Sequence, residues 1–179
     1  MSAIVESCTQ MKRLIEDLLQ LSRMSKLAEK REPVDLGKLI QEIVEELQYT
    51  IRERKAEILP DPGLPNVLGV EQHLKIVFRN LISNAIKFCD KPVPTVRIRS
   101  MIARNTAELS VEDNGIGIDE EYFEKIFMIF QRLHKREEYE GTGAGLTIVK
   151  KIIEAHNGKI WVTSRIGQGT TFHFTLPLS

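Results

Sequence analysis

The sequence predicts an α/β sandwich, an α+β arrangement with one mixed sheet under one layer of helices, preceded by a long amphipathic helix. Three observations predict it. Ala107, Leu109 and Val111 alternate with Glu108, Ser110 and Glu112, so Thr106–Asp113 reads as a half-buried strand, with a partner over Thr95–Ala103. Apolar residues at helical spacing run from about Val70 to Phe88 and again from Leu146 to His156, enough to cover one face of a sheet. The chain closes with Ile160-Trp161-Val162 and Thr171–Thr175, which pair across Gly167-Gln168-Gly169 as a hairpin.

Taken in order, the first thirty residues stand apart. Ile4, Cys8, Met11, Ile15 and Leu18 recur at steps of four and three, and Leu14, Leu21 and Ala28 widen the stripe. This is the seam of a bundle or coiled coil and needs a partner; a helix folded back on its own domain is the alternative. Glu32-Pro33-Val34 ends that helix, and Asp35 can cap the next, whose Leu36, Leu39, Ile40, Ile43, Val44 and Leu47 face a core. The natural division is residues 1–31 and 32–179. A short strand near Ala56–Leu59 leads into a loop from Pro60 to Pro65. A short helix is expected around Glu120–Phe127, and Asn157-Gly158 stops the last helix. Phe88 and Trp161 are read as core residues.

Composition limits the function classes. A chain of 179 residues, 42% hydrophobic, can bury one sizeable core and carry an appendage. Lys+Arg 25 against Asp+Glu 25 leaves no net charge, so no strong attraction to nucleic acid or to a membrane surface is expected. Cys8 and Cys89 form no metal or staple pattern, which fits reduced thiols in a cytoplasmic protein. No apolar run approaches the ~20 residues that span a bilayer, and no signal-peptide pattern opens the chain. Any sensor or membrane segment is expected outside it.

Three motifs in fixed order carry the chemistry. Asn80, Asn84 and Lys87 stand at i, i+4 and i+7 and share one helix face. An asparagine carbonyl is a hard neutral ligand for Mg²⁺, which binds between a few protein oxygens and nucleotide phosphates, and Lys87 could reach those phosphates. Asp113 ends its strand and opens Asp113-Asn-Gly115-Ile-Gly117-Ile118. A carboxylate there accepts from the exocyclic amine of adenine, where guanine presents an oxygen, so Asp113 would select ATP. Gly115 and Gly117 let the backbone turn and approach a flat base. Gly141-Thr142-Gly143-Ala144-Gly145 opens the helix that continues through Leu146, which suits a polyphosphate. Each motif alone is weak; their order is what distinguishes them. No Gly-x-x-x-x-Gly-Lys-Ser/Thr loop occurs, and the second glycine run follows a polar stretch rather than a strand, which excludes the P-loop and Rossmann patterns.

In these motifs the chain resembles the catalytic ATPase domain of sensor histidine kinases, in the superfamily of gyrase, Hsp90 and MutL. Phe127-Met-Ile-Phe130-Gln-Arg132-Leu-His134, Glu138-Tyr-Glu-Gly141-Thr-Gly143 and Lys151-Ile-Ile-Glu-Ala-His156-Asn-Gly158-Lys-Ile-Trp161-Val162 look like the phytochrome-like and PAS-linked branch. Ala144 departs from it, standing where a larger aliphatic residue is common. The resemblance implies that Asn84 coordinates Mg²⁺, Asn80 supports the phosphates or the metal shell, and Lys87 neutralises phosphate charge. It also implies that Asp113 reads adenine within the loop ending at Ile118. Gly141, Thr142, Gly143, Ala144, Gly145 and Leu146 would contact phosphate around a lid of roughly residues 130–143, with Arg132 on the γ-phosphate. Arg132 and Lys135 also read as an ordinary solvated charge run. Thr170 would support the adenine end through water.

The resemblance implies a reaction, ATP γ-phosphoryl transfer to a histidine, and partners, a histidine-bearing dimerisation domain and a response regulator. Met11-Lys-Arg-Leu-Ile-Glu-Asp-Leu-Leu-Gln-Leu-Ser22-Arg looks like the second helix of that dimerisation domain, through which two copies could pair. The acceptor is missing: His73, His134, His156 and His173 all lack the acidic residue that follows it in the family, and read as structural or solvated. Gyrase-like relatives place a glutamate at position 80 to activate water, and asparagine is a poor base, so hydrolysis should be slow. A protein-serine kinase like the anti-sigma-factor kinases and a non-catalytic ATP-binding module are the other two readings.

Overall fold

The structure is a computed structural model that describes residues 30–128 and 143–179. The seam of residues 4–28, the Gly141-Thr142 start of the second glycine run and Arg132 lie outside the described residues. The first element is strand β1, Glu32–Asp35. Helix α1, Leu36–Glu46, starts where expected, because the Asp35 carboxylate accepts from the Lys38 N–H at 3.0 Å. Leu47 is its C-cap and at once the N-cap of the next helix. A second helix, α2, covers Gln48–Arg54 and ends on Lys55 in the left-handed region, φ 52°.

Strands β2 (Glu57–Pro60), β4 (Thr95–Ala103), β5 (Thr106–Asp113), β6 (Ile160–Arg165) and β7 (Gly169–Pro177) form one sheet in the order β2-β4-β5-β7-β6. It is mixed because β2 runs parallel to β4 while every other pair is antiparallel. The parallel pair is possible because the intervening chain makes a crossover through helix α3, Glu71–Lys87. Helix α4, Gly145–Ala155, lies beside α3. The stretch read as one short helix is two single 3₁₀ turns, Glu120–Tyr122 and Lys125–Phe127.

Val96, Ile98, Leu109, Val111, Phe172 and Phe174 point from the sheet into a core shared with Leu74, Val77, Phe78, Leu81 and Ile82 of α3 and Ile148, Val149 and Ile152 of α4. Phe78 meets Phe174 edge-on at 5.5 Å between ring centroids. The other sheet face carries no helix among the described residues. This overturns the reading of Trp161 as core: it is 37% exposed and stacks on His173, 5.3 Å and 4° apart, because the β6–β7 register puts both on the open face. An apolar strand residue is no guide to which side is covered. Phe88 is likewise half-buried rather than core.

A second, two-stranded sheet pairs β1 with β3, Asn66–Gly69, in antiparallel register. Neither strand carries enough alternation to be read from sequence. Pro33 sits in β1, an edge position where a missing N–H is tolerated.

Candidate functional site

Asn80, Asn84 and Lys87 lie in the C-terminal half of α3. That helix stands against the core through Leu74, Val77, Phe78, Leu81 and Ile82, which leaves the asparagines half-buried at the border of the packed face. The Asn80 amide is oriented by its own turn, since Nδ2 donates to the Ile76 carbonyl at 2.9 Å. Its Oδ1 is turned towards the start of α4: a Cβ built on Gly145 would lie 2.7 Å from it. Glycine at 145 is therefore what allows the asparagine carbonyl to approach the N-terminus of α4. Lys87 Nζ stands 4.4 Å from the centroid of the Phe88 ring at the end of α3.

The second glycine run enters the described residues at Gly143, with φ 76°. Ala144 is the N-cap of α4, is 2% exposed, and its carbonyl accepts from Ile148 N–H at 3.0 Å. The smaller residue noted in the sequence is thus packed. Gly145 and Leu146 form the first turn, where backbone N–H groups without intrahelical partners suit an anion. Thr147 Oγ1 donates to the Phe127 carbonyl at 3.0 Å and ties this turn to the second 3₁₀ segment.

The first glycine run is held between α3 and the β6–β7 hairpin. Gly115 sits against the end of α3: a Cβ there would be 2.4 Å from the Phe88 carbonyl, and Ile116 N–H donates to that same carbonyl at 3.0 Å. Gly117 has φ 78° and would place a Cβ 2.2 Å from the Arg165 carbonyl. Asn114 fastens the loop to the start of β4, Oδ1 accepting from Thr95 N–H at 2.9 Å and Nδ2 donating to the Val93 carbonyl at 3.0 Å.

Asp113 is the most informative group. Its carboxylate, expected from the sequence to accept from adenine, also has two backbone donors: Gly115 N–H at 2.8 Å and Thr170 N–H at 3.1 Å. Both bind Oδ1, which leaves Oδ2 for a further donor. Burial pushes the carboxyl up to about 6, with the two backbone bonds and Lys91 opposing and Glu112 reinforcing the rise. A half-buried carboxylate with no cationic partner in contact among the described residues is costly to ionise. Thr170 is thus connected to Asp113 directly through its backbone, and its hydroxyl lies 2.9 Å from Ser164 Oγ. Sequence reading missed Ser164, which accepts from Ile118 N–H at 2.8 Å; a lone serine in a strand carries no motif.

The structure brings Asn80 to Gly145, and Asp113, Gly115, Gly117 and Ile118 to Thr170. The resulting surface has neutral amide oxygens and a helix N-terminus on one side, and a half-buried carboxylate on the other. Among the described residues no cluster of three His, Cys, Asp or Glu side chains could hold a metal by itself.

Comparison with known proteins gives the family and the fold. Residues 69–179 match the family described as histidine kinase-, DNA gyrase B-, and HSP90-like ATPase. Over 174 residues the chain is 44% identical to cyanobacterial phytochrome A of Nostoc sp. (strain PCC 7120), covering 97% of this chain and 23% of the phytochrome. It therefore spans under a quarter of that relative's length. Full-length ShkA, solved in complex with AMPPNP, superposes with a TM-score of 0.82 at 27% identity, covering 99% of this chain and 38% of ShkA. Histidine kinase ThkA, solved in complex with the response regulator protein TrrA, gives 0.76 at 27% identity over 96% of this chain and 49% of ThkA. By sequence and by fold, the chain belongs to the histidine kinase-, gyrase B- and HSP90-like ATPases, on their sensor histidine kinase, phytochrome-like side.

Proposed function

We propose that this chain is the catalytic portion of a two-component sensor histidine kinase, which binds Mg²⁺-ATP and passes the γ-phosphoryl group to a histidine on a dimerisation domain. The observation that carries the reading is Asp113: a half-buried carboxylate with both backbone bonds on one oxygen and the other oxygen left to accept from the adenine amine. GTP offers a carbonyl at that edge and would be rejected. Gly115 and Gly117 keep the loop beside the base free of Cβ atoms, and Ile118 ends it.

At the other side, Gly143, Ala144, Gly145 and Leu146 offer the backbone of a helix start to the phosphates, joined by Lys87 and by Gly141, Thr142 and Arg132 from outside the described residues. Asn80 orients that side by its approach to Gly145. The donor set fits Mg²⁺ held jointly with a nucleotide, since neutral amide oxygens cannot retain a hard divalent ion alone and phosphates supply the charge; Asn84 would be the protein ligand. When bound, the metal neutralises charge on the transferring group, and the protein's part is positioning.

Support for the domain division comes from the linker. Arg31 donates to the Ala155 carbonyl at the C-terminus of α4 and β1 is already paired with β3, so the catalytic fold is under way by residue 32. Residues 1–31 are then the second dimerisation helix, and a response regulator is the downstream partner, as TrrA is found with ThkA. The serine-kinase and non-catalytic readings gain no specific observation.

The test is phosphotransfer. Alone with labelled ATP the chain should acquire no acid-labile, base-stable phosphate, and with a homologous dimerisation domain carrying its histidine it should phosphorylate that domain in trans. Stoichiometric labelling of the isolated chain would overturn the proposal, as would ATP binding with no transfer to any acceptor histidine domain.

A further inference from the structure

Two short segments meet behind Asp113: the loop from Asn114 to Ile118 and the turn from Arg165 to Gly169. They touch through backbone. Gly167 N–H donates to the Ile116 carbonyl at 2.7 Å, and a Cβ on Gly169 would lie 2.0 Å from the Asp113 carbonyl. Among the described residues Ser164, which pairs in register with Thr170, is the one side chain that bonds both.

Its bonds admit one assignment of protons. A serine hydroxyl has one hydrogen to donate and two lone pairs. The Gly169 carbonyl, 2.7 Å away, can only accept, so it takes the serine hydrogen. Ile118 N–H occupies one lone pair at 2.8 Å. Thr170 Oγ1, at 2.9 Å, must then give its own hydrogen to the other lone pair. The Thr170 hydroxyl is left with acceptor capacity only, as is Asp113 Oδ2, and the Thr170 N–H holds the other Asp113 oxygen at 3.1 Å.

We propose that Ser164 is a positioning residue for base selection: its hydroxyl joins the Asp113 loop to the hairpin and turns the Thr170 hydroxyl so that this end of the site offers acceptors alone. An exocyclic amine, which brings two hydrogens, satisfies such an end, and a carbonyl or a bare ring carbon does not. The inference rests on the adenine-reading role proposed for Asp113.

The experiment titrates ATP and the triphosphate of purine riboside, which has hydrogen in place of the amine, into the wild-type chain, Ser164→Ala and Ser164→Thr with Mg²⁺ present. Wild type should prefer ATP. Ser164→Ala should lose about tenfold of that preference, the scale of one or two hydrogen bonds, while its affinity for the amine-free nucleotide changes much less. Ser164→Thr keeps the hydroxyl and should keep the preference. A merely structural role would weaken both nucleotides together and leave their ratio unchanged, which overturns the proposal. Should Ser164→Ala not fold, Ser164→Cys, of similar shape but a poor hydrogen-bonding group, is read by the same ratio. A wild-type chain without preference removes Asp113 from base reading and Ser164 with it; a preference that survives in Ser164→Ala removes Ser164 alone.

Discussion

Asp113, half-buried, and His156, fully buried, are polar side chains that each make two hydrogen bonds to backbone, and they stand at opposite ends of the sheet. Asp113 is beside the Gly169 end of β7, and His156 is close to Gly158, which packs on Thr175 near the other end. His156 is 2% exposed and uses both ring nitrogens: Nε2 accepts from Val70 N–H at 3.0 Å, so Nδ1 carries the hydrogen it gives to the Ile152 carbonyl at 2.7 Å. Burial lowers its pKa, and the Arg31 and His73 charges lower it further against the Ile152 bond. The histidine is saturated and neutral, and serves to join the C-terminus of α4 to the start of α3. Asp113 spends both bonds on one oxygen and keeps a second. A desolvated group with unused capacity points to a ligand, and a saturated one points to structure.

The largest effect should come from Asp113→Asn. Losing a buried charge-assisted bond to the base should cost ~1.5–3 kcal/mol, roughly ten- to hundredfold in ATP affinity by calorimetry. The unfolding midpoint at pH 7 should not fall. Because the folded carboxyl titrates at about 6 against an ordinary 3.8, the native state holds the extra proton between those values. This group's contribution to stability therefore declines as pH rises through that window, and the asparagine variant should lack the decline. ATP binding by the wild type should weaken as pH falls through about 6. Unchanged affinity in a folded Asp113→Asn would erase the distinction between the two residues.

His156→Leu should do the reverse. Leaving Val70 N–H unpaired should lower stability by ~1–3 kcal/mol in denaturant titration, with ATP affinity of the folded variant within about twofold of wild type. The linkage has the opposite sense from Asp113. A histidine whose folded pKa lies below its ordinary 6.5 adds stability that is complete above 6.5 and is lost as pH falls from there towards the folded value. A large loss of ATP affinity in His156→Leu would show that the two ends are coupled.

Asn84→Ala sharpens the picture on the phosphate side. It should remove most of the Mg²⁺ dependence of nucleotide binding and leave the unfolding midpoint nearly unchanged, since Asn84 is only half-buried. Titration with and without Mg²⁺ reads this, and a wild-type metal response would exclude Asn84 as ligand. The smallest effect belongs to Trp161→Ser. Outside the core and stacked on an exposed-face histidine, it should cost under about 1 kcal/mol in thermal or chemical unfolding, where a core tryptophan would cost several.

Much of the architecture is local and therefore legible in sequence. Alternation gave the bounds of Thr95–Ala103 and Thr106–Asp113, helical spacing gave α3 to within a residue at each end, and the Asp35 cap and Asn157-Gly158 stop are properties of neighbouring residues. Asn157 takes φ 62° and Gly158 N–H bonds the Ile153 carbonyl at 2.9 Å, a helix ending that four or five residues specify. What needed contacts between distant segments was not legible. The β1–β3 pair joins residues whose own alternation is weak, and α2 begins after Leu47 without a capping side chain to announce it.

The class of the protein is legible without coordinates, since the order of Asn80-Asn84, Asp113–Gly117 and the second glycine run is a property of the chain. The sequence also determined which residues stand on one helix face, because 3.6 residues per turn admit no other arrangement. Only the tertiary structure decided which face of the sheet was covered, and so put Trp161 outside the core. Only it decided that Asp113 takes its donors from Gly115 and from Thr170, fifty-seven residues on, with Ser164 behind them. The reason is physical: periodicity fixes direction within an element, whereas the partner of a buried polar group is fixed by what the fold brings within 3 Å of it.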